Sequence, residues 1–310
     1  MLDIFKQDLF KKMEKNKWLV ILFVLLVLFL LFKCSNVNLN LREGMENKKG
    51  FVYKNKEIYD EFYSNIYDSL LDDKMKVYQE IGILKELTKL DAGKNQYLLD
   101  AGCGTGHLVG MLKEEGVSSF GVDNSMDMVK KASKNYPDED FKHGNVLDPF
   151  MFPKQKFTHI SAFYFTIYYF KNKKQFFDNC YSWLKPNGYL VIHLVDKHNF
   201  DPILNSGDPL TLVNPQDFSD KRITNSVVVF EGFEYRSNFE LPSKNTAYFN
   251  EKFKFNNGDV RVNQHHLYMD DQNKIIKMAT ESGFVPYKYV DLSEINYDGQ
   301  YIYIFKKNTQ

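Results

Sequence analysis

The stretch Leu99-Asp100-Ala101-Gly102-Cys103-Gly104-Thr105-Gly106 limits the fold of this chain more than any other part of it. It joins a short apolar run, Tyr97 to Asp100, to a helix-period segment, Leu108 to Glu115, which Gly116 closes. Glycines at alternate positions let the backbone turn sharply and pass close to a ligand. The start of the following helix then offers free N–H groups to a carboxylate. Asp123 follows Gly102 by 21 residues, at the end of the next predicted strand. An acid there accepts hydrogen bonds from a ribose hydroxyl, as in dinucleotide-binding folds. The nicotinamide fingerprint G-x-G-x-x-G is not met, because position 107 is histidine and the third glycine comes one residue early.

Strands and helices alternate beyond the loop. Strands are expected over Ser118 to Val122, Phe141 to His143, Thr158 to Phe163 and Tyr189 to Val195, the last after the turn Pro186-Asn187-Gly188. Helices are expected over Met126 to Asn135 and Lys173 to Leu184. This spacing predicts a parallel sheet with helices on both faces. Residues 51 to 90 read as helical, from Tyr59, Phe62, Tyr63, Ile66 and Tyr67 and then Ile81, Leu84 and Leu87. After Asp196 the pattern changes. Ser226 to Leu241, Ala247 to Phe255 and Val260 to Met269 read as antiparallel strands, with a hairpin turn at Asn256-Asn257-Gly258-Asp259. Asp271 to Ser282 reads as a helix and Tyr301 to Phe305 as a final strand.

In this setting the loop resembles the first motif, D-x-G-x-G-x-G, of the class I S-adenosylmethionine-dependent methyltransferases. Asp100, Gly102, Gly104 and Gly106 fit it, with Cys103 inside it. The resemblance implies an α/β fold with a Rossmann-like seven-stranded sheet, here carrying an antiparallel insertion at about 197–270. It implies S-adenosyl-L-methionine as cofactor. Asp100 then suits the methionine ammonium group, Asp123 with Asn124 the ribose, Asn145 and Val146 the adenine, and Phe163 the methionine side. Asn145 departs from the aspartate that many relatives carry. Arg261 to Tyr268 resembles the segment of small-molecule N-methyltransferases, including those acting on amino sugars, where an inserted sheet caps the acceptor. Tyr59-Asp60 resembles the pair that closes over the cofactor in the same group.

Methyl transfer needs alignment of the acceptor and, where the acceptor carries a proton, a base. Candidates are His265 or His266, which lie on opposite strand faces so that at most one points into a cleft. Tyr168 and Tyr169, after the fourth strand, could hold a cationic amine by π-contacts. Adjacent strand histidines diverge, so no metal site is expected. The acceptor expected is a small molecule or a lipid headgroup. A protein methyltransferase and a non-catalytic cofactor-binding scaffold are the alternatives, and oligomeric state is left open.

Forty Lys and Arg balance forty Asp and Glu, so no basic excess points to nucleic acid. Cys34, Cys103 and Cys180 form no CxxC pair and no disulfide framework. Near the N-terminus, Trp18 to Phe32 holds no polar side chain, and Lys17 and Lys33 bracket it. Spanning takes about 20 residues and at least about 17; snorkelling lysines bring this segment within reach. The expected organisation is a polar segment at 1–17, a transmembrane helix at 18–33, a linker at 34–50 and a methyltransferase domain at 51–310. That makes a single-pass membrane protein. The lysines before the span favour a cytoplasmic N-terminus, whereas a cytosolic cofactor places the domain itself in the cytosol; the two indications oppose each other.

Overall fold

Leu98–Ala101 is buried along its whole length, as a strand covered on both faces must be. Around it the chain builds a mixed sheet with helices on its faces. The computed structural model describes residues 51–310 apart from 72–73, 93–94, 203–215, 217–218, 296 and 309–310. In chain order the strands are β1 (Phe51–Lys54), β2 (Leu98–Ala101), β3 (Ser119–Asp123), β4 (Phe141–His143), β5 (Phe157–Ala162), β6 (Leu184–Val195), β7 (Asn225–Val229), β8 (Phe233–Ser243), β9 (Thr246–Phe255), β10 (Val260–Tyr268), β11 (Phe284–Asp291) and β12 (Gln300–Lys307). The α-helices are α1 (Glu61–Leu71), α2 (Lys74–Thr88), α3 (His107–Glu114), α4 (Met126–Asn135), α5 (Lys173–Trp183) and α6 (Gln272–Glu281).

One sheet runs β11-β12-β6-β5-β2-β3-β4. Its β6-β5-β2-β3-β4 part is parallel, and β12 and β11 add antiparallel at one edge. The strand order reverses between β2 and β5, which opens a crevice at the C-terminal ends of the strands. Local sequence places the helices that flank it. Ser125 caps α4 by accepting the Met128 N–H at 3.1 Å, and Asn172 caps α5 by accepting that of Gln175 at 3.2 Å. Trp183, Phe176, Phe177 and Phe305 are fully buried in the core beside β5 and β6.

The second sheet has five strands in the order β1-β10-β9-β8-β7. Its hairpin turn falls at Asn256–Asp259, where Gly258 takes a φ of 90°. Four local expectations change, the first being that Pro186-Asn187-Gly188, read as a turn ahead of the strand, lies within β6. Phe51–Lys54, read as helical, is a strand lying parallel to β10; a four-residue piece is too short for its period to tell strand from helix. The single strand expected over Ser226 to Leu241 is two, broken before β8 by Glu231 and Gly232. Strand β11, absent from the reading, pairs with β12; its side chains are mostly exposed and leave no alternating pattern to read.

The expected transmembrane helix is also corrected, and the single-pass membrane placement with it. No helix among the described residues is long and apolar enough to cross a membrane. The longest, α2, has 15 residues and carries Lys76, Glu80 and Lys85, short of the roughly 17 needed. Residues 18–33, and the segments at 1–17 and 34–50, lie outside the described residues.

Candidate active site

The glycine loop after β2 is set by backbone geometry. Gly102, Gly104 and Gly106 take φ values of 82°, 53° and 88°, in the left-handed region that favours glycine. The N–H groups of Gly102 and Cys103 both donate to the Val122 carbonyl, at 2.8 and 3.0 Å, tying the loop to β3. A Cβ on Gly102 would stand 2.7 Å from Thr166 Oγ1, and one on Gly106 would strike the Phe141 ring. At Gly104 the nearest atom would be the Tyr67 ring at 3.6 Å, so this part of the loop is left open to the space above it.

That space is a cavity of about 1520 Å³. Gly102, Gly104, Asp123, Asn124, Asn145 and Val146 form one wall, from the C-terminal ends of the parallel strands. Phe249, His265, His266 and Tyr268, from the five-stranded sheet, form the other, and Tyr59, Tyr67, Tyr164 and Tyr169 stand between. A smaller cavity is bordered by Asp100, Cys103 and Phe163, which do not line the larger one, and it adjoins that cavity at Gly102, Gly104, Tyr67 and Thr166. Gly106 borders neither cavity and serves the packing against Phe141 and Ala132.

The two loop acids differ. Asp123 accepts the Gly104 N–H at 3.0 Å and the Ser125 N–H at 2.8 Å. Enclosure in the cavity wall still raises its pKa, outweighing those bonds and nearby His143. Asp100 is buried and accepts from Ser161 Oγ at 2.9 Å. Burial, helped by Asp123 and opposed by the Ser161 bond, pushes its pKa up to about 7. A buried carboxyl in this condition is suited to a cationic partner, and Asp123, fixed by two N–H groups, keeps lone pairs for a diol. These are the donor needs of an adenosyl amino acid, so the residues present fit S-adenosyl-L-methionine.

The structure divides the candidate proton-handling residues. Tyr168 is fully buried away from the cavity, where its hydroxyl accepts the Val195 N–H at 2.8 Å. Tyr169 lines the cavity; its hydroxyl lies 2.8 Å from that of Tyr59 and 2.7 Å from His265 Nδ1. His265 is buried, with Nε2 2.7 Å from Glu251 Oε2. His266 also borders the cavity, half-buried on the other face of β10, with its ring against Tyr248 and Tyr268. Asp60 is held by Arg261 Nη1 at 2.7 and 3.0 Å, and this pair fixes the turn that carries Tyr59. Glu251 was not singled out from sequence. The available signal was a run of polar residues at the inward positions of β9 and β10, Glu251, Asn263 and His265, where an apolar core would ordinarily be.

Residues 99–192 match the family model described as a methyltransferase domain. Among solved structures, the chain is similar to an S-adenosylmethionine-dependent methyltransferase from Clostridium acetobutylicum, at 16% identity over 80% of this chain and 98% of that one, with a TM-score of 0.60. It is similar to the sugar N-methyltransferase KedS8 from Streptoalloteichus, at 16% identity over 86% of this chain and 100% of that one, with a TM-score of 0.59. It is also similar to CalS10, an amino pentose methyltransferase from Micromonospora echinaspora, at 15% identity over 80% and 97%, with a TM-score of 0.58. At these identities the similarity is one of fold. No curated protein sequence matches the chain.

Proposed function

We propose that this chain, which carries a class I S-adenosylmethionine-dependent methyltransferase domain, transfers a methyl group to a nitrogen or oxygen of a small-molecule acceptor. The observation that carries this reading is the larger cavity. It has the glycine loop and Asp123 on one side and the Tyr169–His265 pair on the other.

S-adenosyl-L-methionine supplies, when bound, an electrophilic sulfonium methyl group. The chain's residues do the rest. Asp100, at the amino-acid end with Phe163 beneath, favours the ammonium group. Asp123 and Asn124 hold the ribose, and Asn145 and Val146 border the adenine. The left-handed glycines keep side chains out of the loop, so that the backbone of Gly102 and Gly104 itself borders the ligand space. Tyr59 and Tyr169 close the acceptor side, and their aromatic faces exclude water and favour an amine. His265 is the group placed to take up a proton by way of Tyr169. A sugar- or amine-sized acceptor agrees with a cavity of about 1520 Å³, large enough to hold cofactor and acceptor together.

The test is calorimetric titration of the full chain with S-adenosyl-L-methionine and, separately, with NADH. Micromolar affinity for the sulfonium cofactor alone is expected, followed by methyl transfer in a screen of amines and amino sugars. Binding of NADH, or no binding of either ligand, would overturn the reading.

A further inference from the structure

Glu251 lies in the middle of β9 with its side chain fully buried. A carboxylate there is costly unless every lone pair is used. Oε1 accepts from Tyr63 Oη at 3.0 Å and Tyr235 Oη at 2.9 Å. Oε2 accepts from Asn263 Nδ2 at 3.0 Å and His265 Nε2 at 2.7 Å. Sheet register brings these together. Asn263 stands opposite Glu251, His265 is two residues further along β10, and Tyr235 is a diagonal neighbour on β8. Burial alone would raise this pKa, but His265, with Asn263 and Tyr235, brings it below the usual carboxylate range. Asn263 is oriented in turn, because its Oδ1 accepts from Arg261 Nε at 2.9 Å, which leaves its amide to donate to Glu251.

We infer that Glu251 is a positioning residue for methyl transfer, which fixes His265 with its proton on Nε2 and its basic lone pair on Nδ1, at the inner end of a two-tyrosine relay from the acceptor. The inference rests on the proposed methyltransferase reading. An ionised carboxylate only accepts, so His265 Nε2 must donate to it. Nδ1 of the neutral ring must then accept, and Tyr169 Oη donates to it at 2.7 Å. Tyr169 Oη in turn accepts from Tyr59 Oη at 2.8 Å. Every hydrogen in the chain Tyr59, Tyr169, His265, Glu251 therefore points inward from the cavity. The groups packed on this chain are Tyr63, Tyr67 and Tyr235 with Arg261 and Asp60 beyond, and among the described residues no other carboxylate bonds to the imidazole.

The step balances. The acceptor's N–H or O–H bond breaks as its bond to the methyl carbon forms, and the methyl carbon–sulfur pair stays on sulfur as a thioether. The acceptor proton passes to Tyr59 oxygen, the Tyr59 proton to Tyr169, and the Tyr169 proton to His265 Nδ1. Burial raises the pKa of both tyrosines, so neither keeps a charge of its own. The positive charge leaves the sulfonium and ends as an imidazolium paired with Glu251. An acceptor that has no proton to lose gains nothing from this arrangement, so the substrate class is a neutral amine that carries an N–H, or a hydroxyl.

The test is the imidazole ¹H–¹⁵N spectrum of the full chain labelled at histidine, recorded above neutral pH. In the wild type, His265 is expected to show one neutral tautomer, with the proton on Nε2. Glu251→Gln should lose that preference and show both tautomers, and Glu251→Asp should restore it. Cofactor affinity, measured by the same calorimetry, should change less than about threefold in either variant. With an acceptor in hand, kcat should fall about 100-fold or more in Glu251→Gln at an unchanged KM for the cofactor. A wild-type proton on Nδ1, or a tautomer indifferent to Glu251→Gln, overturns the inference, and the wild-type spectrum decides this even if a variant fails to fold. Failure of the methyltransferase reading would show separately, as no cofactor binding by the wild type.

Discussion

Asp100 gives the most demanding prediction, because it couples a proton to the cofactor. In the free protein its carboxyl titrates at about 7, and so it is protonated at pH 5. A bound ammonium needs the carboxylate. Below pH 7 the cofactor must therefore displace a proton, and affinity rises as pH rises. At pH 5 the penalty is about two pKa units, a factor of about 100 or ~2.7 kcal/mol; by pH 8 it is nearly gone. Asp123 also titrates high, so the assay needs a ligand that keeps the ribose and lacks the amino acid. The ratio of affinities for S-adenosyl-L-homocysteine and 5′-methylthioadenosine isolates the amino-acid end. Calorimetry of the full chain should show this ratio climbing about 50-fold from pH 5 to 7, approaching 100-fold by pH 8 and levelling above. Asp100→Asn should flatten the climb. A ratio independent of pH in the wild type, or one falling with pH, would refute the assignment of Asp100 to the ammonium group.

Two substitutions separate packing from binding. Gly102→Ala sets a Cβ 2.7 Å from Thr166 Oγ1 at a φ of 82°. The left-handed backbone costs about 1–2 kcal/mol and the overlap about 1–3 kcal/mol, so cofactor affinity should fall at least tenfold; calorimetric affinity equal to wild type would sink the account of the loop. Tyr168→Phe strips the Val195 N–H of its buried partner, at a cost of about 1–3 kcal/mol. Thermal unfolding should show the midpoint lowered by about 2–12 °C, at about 2–4 °C per kcal/mol for a domain of this size, while cofactor affinity stays as it was. Lost affinity at an unchanged midpoint would mean that Tyr168 reaches the ligand after all.

Features that depend on neighbouring residues were legible in the sequence. The strand–glycine loop–helix unit could be read because left-handed backbone selects glycine at Gly102, Gly104 and Gly106, and because a strand buried on both faces is apolar throughout. Asp123, expected from its place at the end of a strand, and Asn145, expected from the resemblance, both line the larger cavity. The hairpin at Asn256–Asp259 announced itself through the residues a tight turn demands. What the sequence left undecided lies in juxtapositions across the chain. His265 and His266 are adjacent in sequence and equally plausible there; only the pairing of β9 with β10 puts Glu251 under one and leaves the other against Tyr248 and Tyr268. Tyr168 and Tyr169 are likewise neighbours, and the turn after β5 buries one hydroxyl on Val195 while aiming the other at a histidine 96 residues away. Strand β1 shows the same limit, since its place comes from the open edge of β10 and not from its own four residues. Backbone preference is a property of each residue and its neighbours, whereas the partner of a buried polar group is set by which segments the core brings together, so the cofactor loop could be read from the chain and the proton relay only from the fold.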